Sequence, residues 1–391
     1  MASETLETKF VIPKTYKAAV YDEPGKISIK IVELETPEPG PGEVLIRLTV
    51  SHQLAPKHTT YPTNCGCSIQ GTDIRKRTDS DLSLMTNSWT TLPFPTPPQQ
   101  IGGHEGVGVI HKLGPGNENS PVKLGERVGV KWAVDACGGC RQCRKGSDGH
   151  CSVVRKISGY FTPGTFAEYV VSSATYVTPI PEHLDSAAAA PMLCAGLTSY
   201  SALRKSNAQS GDWVVISGAG GGLGHLAVQI AGRGMAFRVI GLDHISKKSL
   251  VLENCGAEAF IDIANPGIAA EIKRITDGEG AAAVVVCAGS NQAYAQALGM
   301  LGFGGTMVCV GMPDGKLVEI GGAYPMSIAT SQARIVGSSI GSRGEAVEVL
   351  QLAARGLVKT HFRTERLEGL EGVFGEMKEG KLVGRVVLDL T

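Results

Sequence analysis

The sequence predicts an α/β protein in which a β-rich unit precedes a doubly wound parallel sheet. Apolar runs punctuated by Pro and Gly, without helical periodicity, indicate strands in the first part of the chain, as in residues 25–50. Apolar strands alternate with helical patterns between residues 211 and 313, which indicates βαβ units. The terminal run VVLDL at 386–390 is predicted to return to the first unit.

Length and composition predict a globular protein with about two domains. The chain has 391 residues, of which 42% are hydrophobic and 19% are charged. Lys plus Arg and Asp plus Glu both number 37, so no net field favours nucleic acid or an anionic membrane as a partner. No apolar run is long enough for a membrane span, and the first residues lack the basic-then-apolar order of a signal peptide. A cytoplasmic location is the expectation.

The glycine-rich stretch SGAGGGLGHLAVQ at 217–229 predicts a dinucleotide-binding turn. It links an apolar strand to a helical pattern, and a second strand follows. Ala219, Gly221 and Gly224 occupy the three spaced positions of the dinucleotide fingerprint, with alanine in place of the first glycine. The backbone can then approach a pyrophosphate at the start of the helix. The predicted turn also includes Gly218, Gly222 and Leu223.

Asp243 ends the second strand of this βαβ unit. A carboxylate at that position accepts hydrogen bonds from a ribose diol and repels the 2′-phosphate of NADP, so NAD is favoured. Lys248, five residues further on, is included in the predicted cofactor site. The alternative for the whole motif is a surface turn followed by a solvated aspartate.

Four of the ten cysteines form a compact motif that predicts a structural zinc site. The spacing C-x2-C-x2-C-x7-C lets a short loop surround one tetrahedral ion, and four thiolates leave no open coordination position. The alternatives are an iron–sulfur cluster or reduced thiols that merely lie close together. The four residues are Cys137, Cys140, Cys143 and Cys151.

The order of motifs along nearly the whole chain resembles one family. It is similar to the zinc-dependent alcohol dehydrogenases of the medium-chain dehydrogenase/reductase superfamily, in particular the yeast or fungal type. The motifs that carry the resemblance are GGHEGVGVI, the four-cysteine segment, PMLCAGLTSYSAL, SGAGGGLGHLAVQ, VGMP and GKLVGRVVLD.

The resemblance implies a fold, cofactors and an assembly. The fold is a GroES-like β-rich catalytic domain, expected at 1–190 and 335–391, plus a Rossmann domain with a doubly wound parallel sheet, expected at 191–334. The cofactors are NAD, a structural zinc and a catalytic zinc. The substrate is a small alcohol or aldehyde, and the protein is expected to be a homo-oligomer, either a dimer or a homotetramer.

The resemblance also assigns the catalytic residues. His104 and Cys194 match the second and third ligands of the catalytic zinc, and Glu105 matches the adjacent carboxylate. Arg385 matches an arginine that contacts the cofactor phosphates. Such a zinc with one open position polarises an alcohol oxygen, so that hydride can leave for NAD. Without the motif context, His104 would be a buried histidine and Cys194 a small apolar residue.

The first zinc ligand is missing where the family has Cys-His before Ser-Asp. Ser80 and Asp81 match the hydroxyl that relays the proton and the supporting carboxylate, but Thr78 and Asp79 precede them. Residues 52–79 number 28, where the family has about four. This insertion is either a loop that brings Cys67 or Asp79 to the metal, or sequence foreign to the folded enzyme, such as a translated intron. The second explanation is favoured because it accounts for both the length and the altered motif.

Three functions are compatible with these observations. The favoured one is an NAD-dependent zinc alcohol dehydrogenase. The alternatives are a catalytically impaired NAD-binding homologue that keeps only the structural zinc, and a zinc-free enone or quinone reductase of the same superfamily. The combination of His104 and Glu105 with Cys194 disfavours the zinc-free reductase.

Overall fold

The computed structural model describes residues 10–50, 80–88, 94–117, 119–313, 318–379 and 385–391. Its strands are β1 (Thr15–Tyr21), β2 (Ile29–Glu35), β3 (Glu43–Leu48), β4 (Gln100–Ile101), β5 (Gly106–Leu113), β6 (Arg127–Val130), β7 (Tyr169–Ser173), β8 (Thr178–Pro179), β9 (Trp213–Ser217), β10 (Arg238–Asp243), β11 (Ala259–Asp262), β12 (Ala281–Val286), β13 (Leu301–Cys309), β14 (Arg334–Gly337), β15 (Phe362–Arg366) and β16 (Arg385–Asp389). Its α-helices are α1 (Ser80–Met85), α2 (Arg141–Arg144), α3 (Ser186–Ala189), α4 (Ala195–Lys205), α5 (Gly224–Gln229), α6 (Ile268–Ile275), α7 (Asn291–Ala297), α8 (Pro325–Ser331), α9 (Arg343–Ala354) and α10 (Leu370–Lys378).

The first unit is built from antiparallel strands, as the Pro- and Gly-punctuated sequence predicts. A five-stranded sheet has the order β7-β3-β5-β6-β8, and a three-stranded sheet has the order β2-β1-β4. Alternate residues of β3, such as Val44, Ile46 and Leu48, are fully buried in the core between them. Leu388 and Leu390 join the same core, so the chain terminus returns to this unit as predicted.

The second unit is a six-stranded parallel sheet with the order β11-β10-β9-β12-β13-β14. The order reverses between β9 and β12, and ligands of doubly wound sheets bind at the carboxyl ends of the strands on either side of such a switch point. The successive residues Val214, Val215 and Ile216 of β9 are all fully buried because helices cover both faces of the sheet. The fold class predicted from the sequence is therefore confirmed.

The second unit extends beyond residue 334, where the sequence predicts it to end. Strand β14 is the edge strand of the parallel sheet, paired in parallel with β13. Helix α9 buries Ala346, Val349 and Leu350 in the core that β9 and α5 share. Residues up to about 358 therefore belong to the second unit. The sequence does not predict this boundary, because the short strand RIVG (β14) fits an edge position in either unit equally well.

A polar contact links the segment that carries the four cysteines, residues 137–151, to the second unit. This segment is called the four-cysteine lobe below. Asp148 in the lobe is buried, and Arg343 at the start of α9 donates to it twice: from its main-chain N–H (3.1 Å) and from Nε (2.9 Å). The guanidinium of Arg343 also donates to the carbonyl of Thr175 at 2.6 Å. No helix in the described ranges is long and apolar enough to cross a membrane.

Candidate active site and cofactor-binding site

His104 lies at the centre of a buried polar cluster where the two units meet. Its Nδ1 is 3.1 Å from Oδ1 of Asp81, which also accepts the main-chain N–H of Gly103 at 3.1 Å. A carboxylate only accepts, so Nδ1 carries the hydrogen and Nε2 is left as a lone-pair donor for a metal. The ring packs edge-on against Trp132, with the ring centroids 4.9 Å apart.

Two glycines explain how the chain can place His104 here. A Cβ at Gly102 would overlap the phenol of Tyr21. Gly103 has φ of +91°, and a Cβ there would lie 2.6 Å from Cδ1 of Phe166. Only glycine combines the left-handed conformation with this close approach. The pair GG before His104 is thus a packing requirement as well as a family motif.

Cys194, immediately before α4, brings its thiol to the other side of the imidazole. Its Sγ is 3.2 Å from Nε2 of His104. Burial by itself lowers the pKa of His104, but the neighbouring Asp81 and Cys194 outweigh that effect and raise its pKa well above the usual value, so without a metal Nε2 also carries a proton, which an ion bound at Nε2 would replace. Ligand atoms of His104, Glu105 and Cys194 lie within 4.8 Å of one another. Imidazole, thiolate and carboxylate are the three ligand types that zinc accepts, so the cluster fits Zn²⁺.

Glu105 connects this cluster to the cofactor side. Its Oε1 accepts the main-chain N–H of Ala195 at 3.2 Å, and its Oε2 forms an ion pair with Nη2 of Arg385. The side chains of both charged residues are largely buried, with exposures of 21% for Glu105 and 16% for Arg385. A Cβ at Gly222 would lie 3.5 Å from Nη1 of Arg385. The guanidinium therefore spans the space between the metal cluster and the glycine-rich turn.

The glycine-rich turn has the geometry that close approach of a pyrophosphate requires. Gly218 has φ of +82°, and a Cβ at Gly224 would overlap the carbonyl oxygen of Gly218. Ala219, which replaces the first glycine of the fingerprint, is fully buried, and its Cβ faces Gly241 of β10, where there is room for it. The substitution of alanine is thus accommodated on the sheet side of the turn.

Asp243 lies at the carboxyl end of β10, against the turn. Oδ2 accepts the main-chain N–H of Gly220 at 2.7 Å, and Oδ1 accepts that of His244 at 2.7 Å. Each carboxylate oxygen keeps a further lone pair for the hydroxyl groups of a ribose. Lys248 is exposed, whereas the alkyl chain of the adjacent Lys247 packs against Gly220. The role of Lys248 at the cofactor stays a prediction, and two consecutive lysines in HISKK cannot be told apart by pattern.

The four cysteines of the lobe converge as their spacing predicts. Sγ of Cys140 is 3.4 Å from Sγ of Cys143 and 3.9 Å from Sγ of Cys151. A tetrahedral zinc with Zn–S bonds of about 2.3 Å has S–S edges of about 3.8 Å, so these sulfurs fit the ion. Main-chain N–H groups of Cys137 and Val154 donate to Sγ of Cys151 at 3.4 and 3.3 Å. Such donors stabilise thiolates and orient them toward a metal.

The remaining predicted residues are only partly placed. Ser80 begins α1 directly before Asp81, and its side chain is outside the described part of the chain. Cys67 and Asp79, the alternative sources of the first zinc ligand, fall in residues 51–79, which the structure does not describe. Leu223 precedes α5, and its carbonyl accepts the hydroxyl of Ser199 at 3.2 Å. Trp132 was missed because an aromatic residue after an apolar strand does not by itself indicate a catalytic neighbour.

Comparison with known proteins decides the family. A family model for the alcohol dehydrogenase GroES-like domain matches residues 65–182, and one for zinc-binding dehydrogenases matches residues 222–355. The chain is 52% identical over 388 residues to alcohol dehydrogenase 2 of Emericella nidulans, covering 97% of this chain and 99% of that protein. The chain belongs to the zinc-binding alcohol dehydrogenase family.

Solved structures of alcohol dehydrogenases have the same fold. The alcohol dehydrogenase of the archaeon Aeropyrum pernix superimposes with a TM-score of 0.77 at 27% identity, covering 95% of this chain and 99% of that one. A structure described as an NAD-dependent alcohol dehydrogenase gives a TM-score of 0.79 at 25% identity, covering 96% and 100%. The predicted family, the GroES-like and Rossmann fold class, and zinc and NAD as cofactors are confirmed. The zinc-free reductase is not favoured.

Replacing Gly224 with alanine in this alcohol dehydrogenase should disrupt the cofactor turn. The new Cβ would overlap the carbonyl oxygen of Gly218, so the turn or α5 must move away from the pyrophosphate position. We expect the Kd for NADH, measured by fluorescence titration, to rise at least about tenfold. Gly232→Ala is the matched control, since its Cβ would meet nothing closer than 3.8 Å. Equal NADH affinity in the two variants would contradict this account of the turn.

Proposed function

We propose that the protein oxidises small alcohols, or reduces the matching carbonyl compounds, by exchanging hydride with NAD in the cleft where its two units meet. The observation that carries the proposal is the convergence of Asp81, His104 and Cys194 with the Glu105–Arg385 pair. These groups combine a metal-binding cluster with a cation that faces the cofactor turn.

The chain's own residues prepare the metal side of the reaction. When bound, zinc supplies a Lewis acid that lowers the pKa of an alcohol, and NAD supplies the hydride acceptor. His104 Nε2 and Cys194 Sγ would hold the ion. Asp81 fixes the tautomer and the orientation of His104 through the 3.1 Å contact. Trp132 packs edge-on against the imidazole, which is buried.

Ser80 is proposed to carry the proton away from the alcohol. It stands directly before Asp81, at the first residue of α1, and a hydroxyl can accept a proton from one side while it donates to the other. Glu105 would balance the charge of the cluster from its place between Ala195 and Arg385.

The catalytic metal site offers fewer strong ligands than the four-cysteine lobe. Among the described residues, the cluster contains one imidazole, one thiolate and the carboxylate of Glu105, which Arg385 already engages. We propose that the 52–79 segment displaces the first ligand and weakens zinc binding at this site. Cys67 or Asp79, outside the described residues, are the candidates for partial compensation.

Replacing residues 52–79 with Gly-Val-Cys-His tests this proposal. Metal analysis should find one tightly held zinc per chain in the unmodified protein and two in the replacement, because three ligands hold zinc far more firmly than two. The kcat/KM for NAD-dependent oxidation of ethanol should rise by about two orders of magnitude or more. Cys140→Ser is the control for site identity, since it should remove only the structural zinc.

Two results would contradict these proposals. An unmodified chain that holds two zinc ions and oxidises ethanol efficiently, and that loses one ion on Cys67→Ala, would show that 52–79 is a functional loop. A chain that holds two zinc ions but oxidises no alcohol in a panel of primary and secondary alcohols would contradict the proposed activity itself.

We also propose that β14 forms the interface of a homo-oligomer. It is the outer strand of the parallel sheet, and edge strands are usually protected. Large apolar side chains of β14, of the neighbouring strand β13 and of the chain between these strands are exposed, and a second copy of the chain would cover them. They are Phe303 (74%), Val318 (58%), Tyr324 (69%), Met326 (78%) and Ile335 (36%).

Ile335→Lys should therefore lower the molar mass measured by light scattering, because an ammonium group would be placed in the contact between copies. Val347→Lys is the matched control, since Val347 is similarly exposed (42%) but lies on α9. A monomeric unmodified protein, or an equal effect of the two substitutions, would contradict this interface.

We further propose a cytoplasmic location, which cell fractionation would test, because the described cysteines are all free thiols.

A further inference from the structure

Two buried polar side chains on α5 have no part in the chemistry described so far. His225 and Gln229 are one helical turn apart, with exposures of 1% and 0%. They lie on the helix that follows the glycine-rich turn. Buried polar groups of this size cost free energy unless each finds its hydrogen-bond partners. Their partners therefore indicate what the two side chains position.

His225 bridges the cofactor turn and the segment that enters β15. Its Nδ1 is 2.9 Å from the carbonyl oxygen of Gly221, and its Nε2 is 3.5 Å from the main-chain nitrogen of His361. A carbonyl only accepts and an N–H only donates. The neutral tautomer with hydrogen on Nδ1 satisfies both ends. Burial lowers the pKa of His225 to about 4, so the ring stays neutral across the physiological range.

Gln229 fastens the same segment two residues earlier. Its Nε2 donates to the carbonyl of Lys359 at 2.9 Å, and its Oε1 accepts the main-chain N–H of Lys359 at 2.9 Å. Nε2 also donates to the carbonyl of His225 at 2.9 Å. The primary amide thus pairs with both main-chain groups of Lys359, the N–H and the carbonyl. This arrangement fixes where the chain leaves the second unit.

The fastened segment holds Arg385. The carbonyl of His361 accepts the main-chain N–H of Arg385 at 2.9 Å, and the parallel pairing of β15 with β16 starts at Phe362 and Arg385. The main chain of His361 thus contacts both residues: its N–H donates to His225, and its carbonyl accepts the N–H of Arg385. The path runs from Gly221 through His225 and His361 to the guanidinium that pairs with Glu105.

We propose that His225 is a positioning residue for NAD binding: it sets the distance between the glycine-rich turn and Arg385 through the main chain of His361. Gln229 anchors the same segment. The inference rests on the proposed function, in which Arg385 faces the cofactor phosphates. His225 itself acts on the cofactor only through the placement of Arg385.

The test measures Kd for NADH by fluorescence titration of the full-length protein, together with Tm in the absence of NADH. His225→Ala should raise Kd about tenfold, the effect of one misplaced charge-assisted contact. His225→Gln places an amide oxygen near the position of Nε2 and should recover affinity to within about threefold of the unmodified protein. His225→Asn restores only the contact with Gly221 and should bind as weakly as the alanine variant.

Two comparisons separate positioning from loss of stability. In an Arg385→Ala background, His225→Ala should cause no further rise in Kd, because its effect passes through Arg385. Leu226→Ala, a fully buried apolar truncation on the same helix, should lower Tm while it leaves Kd within about threefold. An additive loss in the double variant, or an equal rise in Kd for Leu226→Ala, would overturn the inference. If the unmodified protein bound no NADH, the proposed function would fail together with it.

Discussion

The ion pair between Glu105 and Arg385 joins the two halves of the active site. Glu105 follows His104, the proposed metal ligand, in sequence, and Arg385 starts the last strand, 280 residues further along the chain. Both side chains are largely buried, so each charge depends on the other and on nearby dipoles for its solvation. The main-chain N–H of Ala195 supplies such a dipole next to Cys194. Moving either charge would therefore disturb the metal cluster and the cofactor turn together.

The geometry of the metal cluster follows from local constraints that surround this pair. Gly102 and Gly103 let the chain turn where Tyr21 and Phe166 leave no room for a side chain. Asp81 then selects the tautomer of His104 that presents Nε2. The cofactor half is constrained in the same manner, because the carbonyl of Gly218 leaves no space for a Cβ at Gly224. Glycine positions in this enzyme thus determine where charged groups can approach one another.

Signals that are local in sequence predicted most of the fold and much of the site. The cysteine spacing, the glycine-rich turn and the position of Asp243 each lie within a few dozen residues, and the structure places each of them in the predicted element. Contacts between distant segments were not predictable in this way. The hydrogen bond between His225 and His361 joins residues 136 positions apart, and no sequence pattern in either segment indicates that the two segments are in contact. The assignment of β14 to the parallel sheet depended on the same kind of information.

The coupling free energy between Glu105 and Arg385 tests the central claim most directly. It is obtained from the unfolding free energies of the unmodified protein, Glu105→Gln, Arg385→Met and the double variant. Each single change leaves a largely buried charge without its partner, so the double variant should be more stable than the sum of the single losses implies, by about 1–3 kcal/mol. A coupling within about 0.5 kcal/mol of zero would contradict the claim that this pair holds the two halves of the site together.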